Sequence, residues 1–129
     1  MKIEALHHVQ LAMPPDQEDQ ARAFYGKLLG FDEVAKPTEL AASGGVWFEN
    51  ETVRVHLGVE HSFQPARKAH PAFQVRDLAA LRSVLLRGNV KITPDSALPG
   101  YNRFYAQDPF GNRLEFLEPK VRKLFRFTE

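Results

Sequence analysis

Two stretches of the chain share one plan, and that repetition constrains the fold more than any other feature. "PPDQEDQARAFYGKLLGF" (14–31) carries apolar residues at Ala21, Phe24, Tyr25, Leu28 and Leu29, the spacing of a helix lying on a core. Asp16, Glu18 and Asp19 suit its positive end and Gly30 its C-terminal cap. "RDLAALRSVLLRGNVKI" (76–92) repeats the design, with Asp77 as N-cap, Leu78, Leu81, Val84 and Leu85 as the stripe, and Gly88 as the stop. Each helix follows a short alternating segment, "LHHVQLAM" or "HPAFQV". Each precedes extended segments ending in "TVRVHLGV" or "NRLEFLE". The order is β-α-β-β-β, twice, so the expected fold class is α+β, two βαβββ modules related by a pseudo-twofold axis. We expect one domain over 1–129, with module one at about 4–60, a linker at 61–69, module two at about 70–119 and a C-terminal tail at 120–129.

Composition removes several function classes. Lys and Arg number 17 against 16 Asp and Glu, a net charge of +1, which gives no broad field for a phosphate backbone. Nucleic acid is therefore not an expected partner. The opening MKIEALHH has no apolar core of a signal peptide, and no stretch approaches the roughly 20 apolar residues of a membrane span, so the expected location is cytoplasmic. With no cysteine, disulfides, thiolate metal sites and a cysteine nucleophile are excluded.

Strand alternation then sorts the polar residues. In "LHHVQLAM", Val9 and Leu11 face the helices, which puts His7 on their side as a partly buried residue and turns His8 and Gln10 the other way. In "HPAFQV", Phe73 and Val75 take the helix side, leaving His70, Ala72 and Gln74 with His8. Val53, Val55, Leu57 and Val59 form a core set, leaving Arg54 and His56 on the polar face, and Leu114 and Phe116 leave Arg113 and Glu115 there. His8, His56, His70 and Glu115 thus emerge on one side. The turn "DPFGN" with Gly111 in the left-handed position pairs Asp108 with Asn112, which sets Tyr105 opposite Glu115, Arg103 opposite Leu117 and Gln107 opposite Arg113. Three imidazoles and a carboxylate make a shell for Zn²⁺, Fe²⁺, Ni²⁺ or Mn²⁺, with positions left for water or substrate. Taken singly, a polar-face histidine is usually a tolerated surface residue, so the weight rests on the convergence. Arg54 and Arg113 read as solvated or ion-paired, and His61 as a surface residue of the linker.

At these residues the chain resembles the glyoxalase, bleomycin-resistance and extradiol-dioxygenase superfamily, the vicinal-oxygen-chelate proteins. "LHHVQLAM…ARAFYGKLLGF" is similar to the family's opening strand and helix, "AHPAFQV" to its second-module strand, and "FYAQDPFGNRLEFLEP" to its closing hairpin. The resemblance implies a cupped mixed sheet around a central cleft, a divalent metal held by His8, His70 and Glu115, and a homodimer acting on a small-molecule substrate. It departs at His56, where glyoxalase I members generally carry glutamate. The reading adopted is a glyoxalase-type lyase or isomerase working through an enediolate. In it His56 completes the metal shell, Glu115 moves the proton, Tyr105 and Arg103 orient a substrate oxygen or carboxylate, and Gln10 and Gln74 also contact substrate. The alternatives are a metal-free protein that sequesters a ligand, an iron extradiol dioxygenase and a thiol transferase.

Overall fold

The computed structural model describes residues 1–121. Module one runs β1 (Val9–Met13), α1 (Glu18–Ala21) with its continuation through Arg22–Leu28, β2 (Asp32–Val34), α2 (Thr38–Ala41), β3 (Val46–Glu49) and β4 (Arg54–Val59). Module two runs β5 (Ala72–Gln74), α3 (Leu78–Arg87), β6 (Ile92–Asp95), β7 (Tyr101–Gln107) and β8 (Arg113–Pro119). Each module makes a four-stranded sheet, in the orders β1-β4-β3-β2 and β5-β8-β7-β6, with the first pair parallel and the others antiparallel. The repeated β-α-β-β-β plan is present, and α2 is the one helix the sequence pattern did not announce. The expected tail lies, beyond residue 121, outside the described residues.

The two modules match residue by residue. β1 pairs with β4 so that Gln10 lies opposite His56, and β5 pairs with β8 so that Ala72 lies opposite Glu115. His8 stands two positions before Gln10 as His70 stands two before Ala72, so both candidate pairs occupy corresponding places. The hairpin follows from its turn chemistry: Gly111 has φ +90°, Asp108 N–H donates to Asn112 O at 3.0 Å, and Tyr105, Arg103 and Gln107 face Glu115, Leu117 and Arg113.

The helices supply the core and depart from expectation in detail. Ala21, Phe24 and Tyr25 are buried, but residues 22–28 are wound as a π-helix, with Leu29 N–H reaching Phe24 O at 3.0 Å. The wider turn seats the consecutive Phe24 and Tyr25 in one core, against Phe48. Glu18 leaves the helix end and accepts from Gly45 N–H at 2.9 Å, while Asp19 pairs with Arg22 at 2.9 Å. Asp77 caps α3 by accepting from Ala80 N–H at 3.0 Å. At the other end, Asn89 (φ +61°), not Gly88 (φ −86°), turns left-handed, a conformation Asn tolerates.

Buried polar bonds tie the modules together. Tyr25 Oη donates to Asp108 Oδ2 at 2.7 Å, and Asn112 Nδ2 donates to Ala12 O and to Asp108 Oδ2, both at 2.8 Å. Phe31 meets Phe73 across the same junction, ring centroids 6.4 Å apart. Among the described residues no helix is long and apolar enough to cross a membrane.

Candidate metal centre

In module two, β8 lifts Glu115 beneath the residues that lead into β5. Its carboxylate is buried and held at both oxygens: His70 Nε2 lies 2.9 Å from Oε1, and Arg103 Nη1 donates to Oε2 at 3.2 Å. Arg103 also holds Asp95, with Nε 3.1 Å from Oδ1. Desolvation pulls the Arg103 guanidinium down, and its bonds to Glu115 and Asp95 together outweigh that and raise it. The Tyr105 ring stands edge-on to His70 at 5.3 Å.

The His70 ring has a defined hydrogen-bond chemistry. Its Nδ1 is 2.8 Å from the carbonyl oxygen of Lys68, an acceptor, so Nδ1 carries a proton. Nε2 and the Glu115 carboxylate oxygen, 2.9 Å apart, then need a proton or a cation between them. A backbone carbonyl fixing one ring nitrogen while the other faces a carboxylate is the arrangement that presents an imidazole to a metal ion. On the chemistry of its donors, this half of the site fits a divalent cation.

Module one presents the corresponding pair differently. His56 is buried and lies flat on Trp47, its partner across β3–β4, with centroids 3.9 Å apart and planes 4° apart. His8 stacks on the other side of His56 at 4.4 Å and 19°. Imidazole lone pairs lie in the ring plane, so an ion in the plane of one ring stands off the plane of the other. As stacked, the pair offers a shared ion one lone pair, not two. Burial, followed by the nearby His8 and His7, pulls the His56 imidazole below its ordinary value.

The alternation argument overreaches at the adjacent histidines. β1 begins at Val9, so residues 7 and 8 precede the ladder, and the two rings turn toward each other with Nδ1 atoms 3.0 Å apart. His7 is exposed instead of partly buried on the helix side. Among the described residues no three His, Asp or Glu side chains gather closely enough to hold a metal ion. His8 and His70 do line one cleft of about 900 Å³, together with Gln10, Gln74 and Arg113. His61 is exposed, and Arg54 sits 3.9 Å from Glu49.

Trp47 and Asp95 went unnoticed in the sequence. Trp47 faces His56 as Tyr105 faces Glu115, so extending the repeat from "FYAQ" back to "VWFE" would have found it. Asp95 carries no such signal, since its place beside Arg103 depends on the β6–β7 register.

A family model described as the Glyoxalase/Bleomycin resistance protein/Dioxygenase superfamily matches residues 5–116. The chain belongs to this superfamily. Its architecture agrees with that of a glyoxalase family protein from Bacillus anthracis, at 44% identity and TM-score 0.89, covering 93% of this chain and 98% of that one. More distant superfamily folds include the fosfomycin resistance protein FosX from Listeria monocytogenes, at 16% identity and TM-score 0.75 over 93% and 97% of the two chains. TnmS3, an antibiotic binding protein from Streptomyces sp. CB03234, gives 19% identity and TM-score 0.67 over 92% and 100%. Both of these likenesses concern the fold alone. No protein of curated function matches the chain.

Proposed function

We propose that this superfamily member is a divalent-metal-dependent enzyme of glyoxalase type, acting on a small substrate with neighbouring oxygens by isomerase or lyase chemistry through an enediolate. The observation that carries the reading is the His70–Glu115 pair, where an imidazole nitrogen and a carboxylate oxygen face each other at 2.9 Å while Lys68 O fixes the other ring nitrogen. His8, His70 and Glu115 would hold the ion, Zn²⁺, Ni²⁺, Mn²⁺ or Fe²⁺. When bound, the ion supplies Lewis acidity toward the two substrate oxygens.

The chain's own groups do the rest. Glu115 moves the proton at the substrate carbon through Oε1, while Arg103 keeps Oε2 and fixes the plane of the carboxylate. Tyr105 orients a substrate oxygen, and Gln10 and Gln74 present amides along the cleft wall. His56, sandwiched by Trp47, positions the His8 ring and is not itself a ligand in this reading. His8 reaches the His70–Glu115 pair from a second copy of the chain, in a homodimer.

Methylglyoxal with a panel of low-molecular-weight thiols tests the reaction class: thioester absorbance without oxygen uptake is expected of the metal-replete protein. Oxygen consumption with a catechol would instead assign a dioxygenase. The second reading, a metal-free protein that sequesters a ligand, is favoured by the size of the cleft and by its apolar stretch at Leu6, Val9, Leu11 and Phe73. It predicts no turnover in either assay and tight binding of an aromatic ligand by metal-free protein.

A further inference from the structure

We infer that the substrate carries, beyond its two neighbouring oxygens, a separate oxyanion group, and that Arg113 receives it with Lys91 and Arg67. This rests on the reading above and names the substrate class of the same site. A pocket of about 590 Å³ opens on the polar face of the module-two sheet, lined among others by Arg67, Lys91, Thr93, Tyr105, Gln107 and Arg113. It holds three cationic side chains and no carboxylate. In a chain of net charge +1, that local imbalance is not a consequence of a basic composition.

The two arginines of this face differ in what they have left to give. Arg103 is engaged by two carboxylates, Asp95 and Glu115. Arg113 makes no salt bridge among the described residues and acts on Asp95 only at longer range: its guanidinium carbon sits 4.0 Å over the Tyr105 ring, and Nη1 is 3.5 Å from Arg67 O. Stacking covers the face of the guanidinium and leaves its N–H edge, the edge that grips a carboxylate or phosphoryl oxygen pair. Gln107, opposite Arg113 in the ladder, and Thr93, opposite Tyr105, add neutral donors beside it.

Position ties the pocket to the proposed chemistry. Arg113 lines both this pocket and the large cleft that holds His70. Along β8, Arg113 and Glu115 point to the same face with Cα atoms about 7 Å apart, two strand residues. A substrate bridging them is a short acid, with its oxygen pair at Glu115 and its anionic end at Arg113.

Calorimetric titration of the metal-free protein with inorganic phosphate, methylphosphonate and glutarate tests this. At least one is expected to bind at one per chain, and Arg113→Gln is expected to weaken it by about tenfold or more. Lys91→Gln, at an exposed position that cannot unfold the chain, is expected to weaken it less. The more tightly held probe distinguishes a carboxylate end from a phosphoryl or phosphonate end. Zinc uptake by Arg113→Gln should equal that of wild type, so loss of anion binding and loss of metal binding are read separately. Failure of all three probes to saturate, or wild-type affinity in Arg113→Gln, overturns the proposal.

Discussion

Asp108 shows at the scale of one residue how a loop side chain holds two modules together. Tyr25 Oη, Asn112 Nδ2 and the N–H groups of Phe110 and Asn112 all donate to its buried carboxylate. Burial pushes the carboxyl up, against the pull of those donors. Asp108→Asn turns one acceptor into a donor facing donors and should cost about 1–3 kcal/mol in urea unfolding. Glycine positions separate two other costs. A Cβ on Gly45 (φ +87°) would lie 2.2 Å from Leu57 O, whereas one on Gly100 (φ +84°) meets nothing within 4 Å. Gly100→Ala should therefore lose about 1 kcal/mol, the left-handed strain alone, and Gly45→Ala about 3 kcal/mol or more, measured in the same denaturant series. Equal losses would mean that the β4 backbone yields to the added methyl.

Among elements, the β6–β7–β8 ladder sets the electrostatics of the site. The Ala97 N–H holds the Asp95 carboxyl below its ordinary 3.8 against desolvation, the next largest effect, and Arg103 and then Arg113 add to the lowering. A depressed carboxyl adds stability that is complete above its unfolded value and is lost as pH falls through the folded one. From pH 4 downward the melting temperature of the wild type should consequently fall more steeply than that of Asp95→Asn. Parallel slopes would mean that neither the Ala97 N–H nor Arg103 stabilises the Asp95 carboxylate. The same ladder was legible in the sequence because "DPFGN" has one register compatible with a left-handed Gly111, and every facing pair follows from it. Helix registers were less legible. Over two turns, apolar residues at Ala21, Phe24, Tyr25 and Leu28 fit α- and π-windings alike, and the winding is settled by packing against Phe48. Alternation failed at His7 and His8 for a simpler reason, since a pattern has no meaning before the ladder begins.

Across the whole molecule, the repeat was readable as a repeat, down to the correspondence of His8 with His70 and His56 with Glu115. How the two pairs meet was not readable, because it depends on how modules and copies pack and not on any local pattern. Subunit mixing checks the homodimer reading: His8→Ala and Glu115→Ala should each lose bound metal, and heterodimers of the two should regain one site of two. No recovery would mean that each chain closes its site by itself. The central claim, that His8, His70 and Glu115 hold a divalent ion with His56 outside the shell, is tested most directly by elemental analysis of protein purified without chelator. The account predicts about one equivalent of divalent metal per chain in wild type, His61→Ala and His56→Ala, and near-complete loss in His70→Ala. Metal retained in His70→Ala, or absent from the wild type, would contradict it.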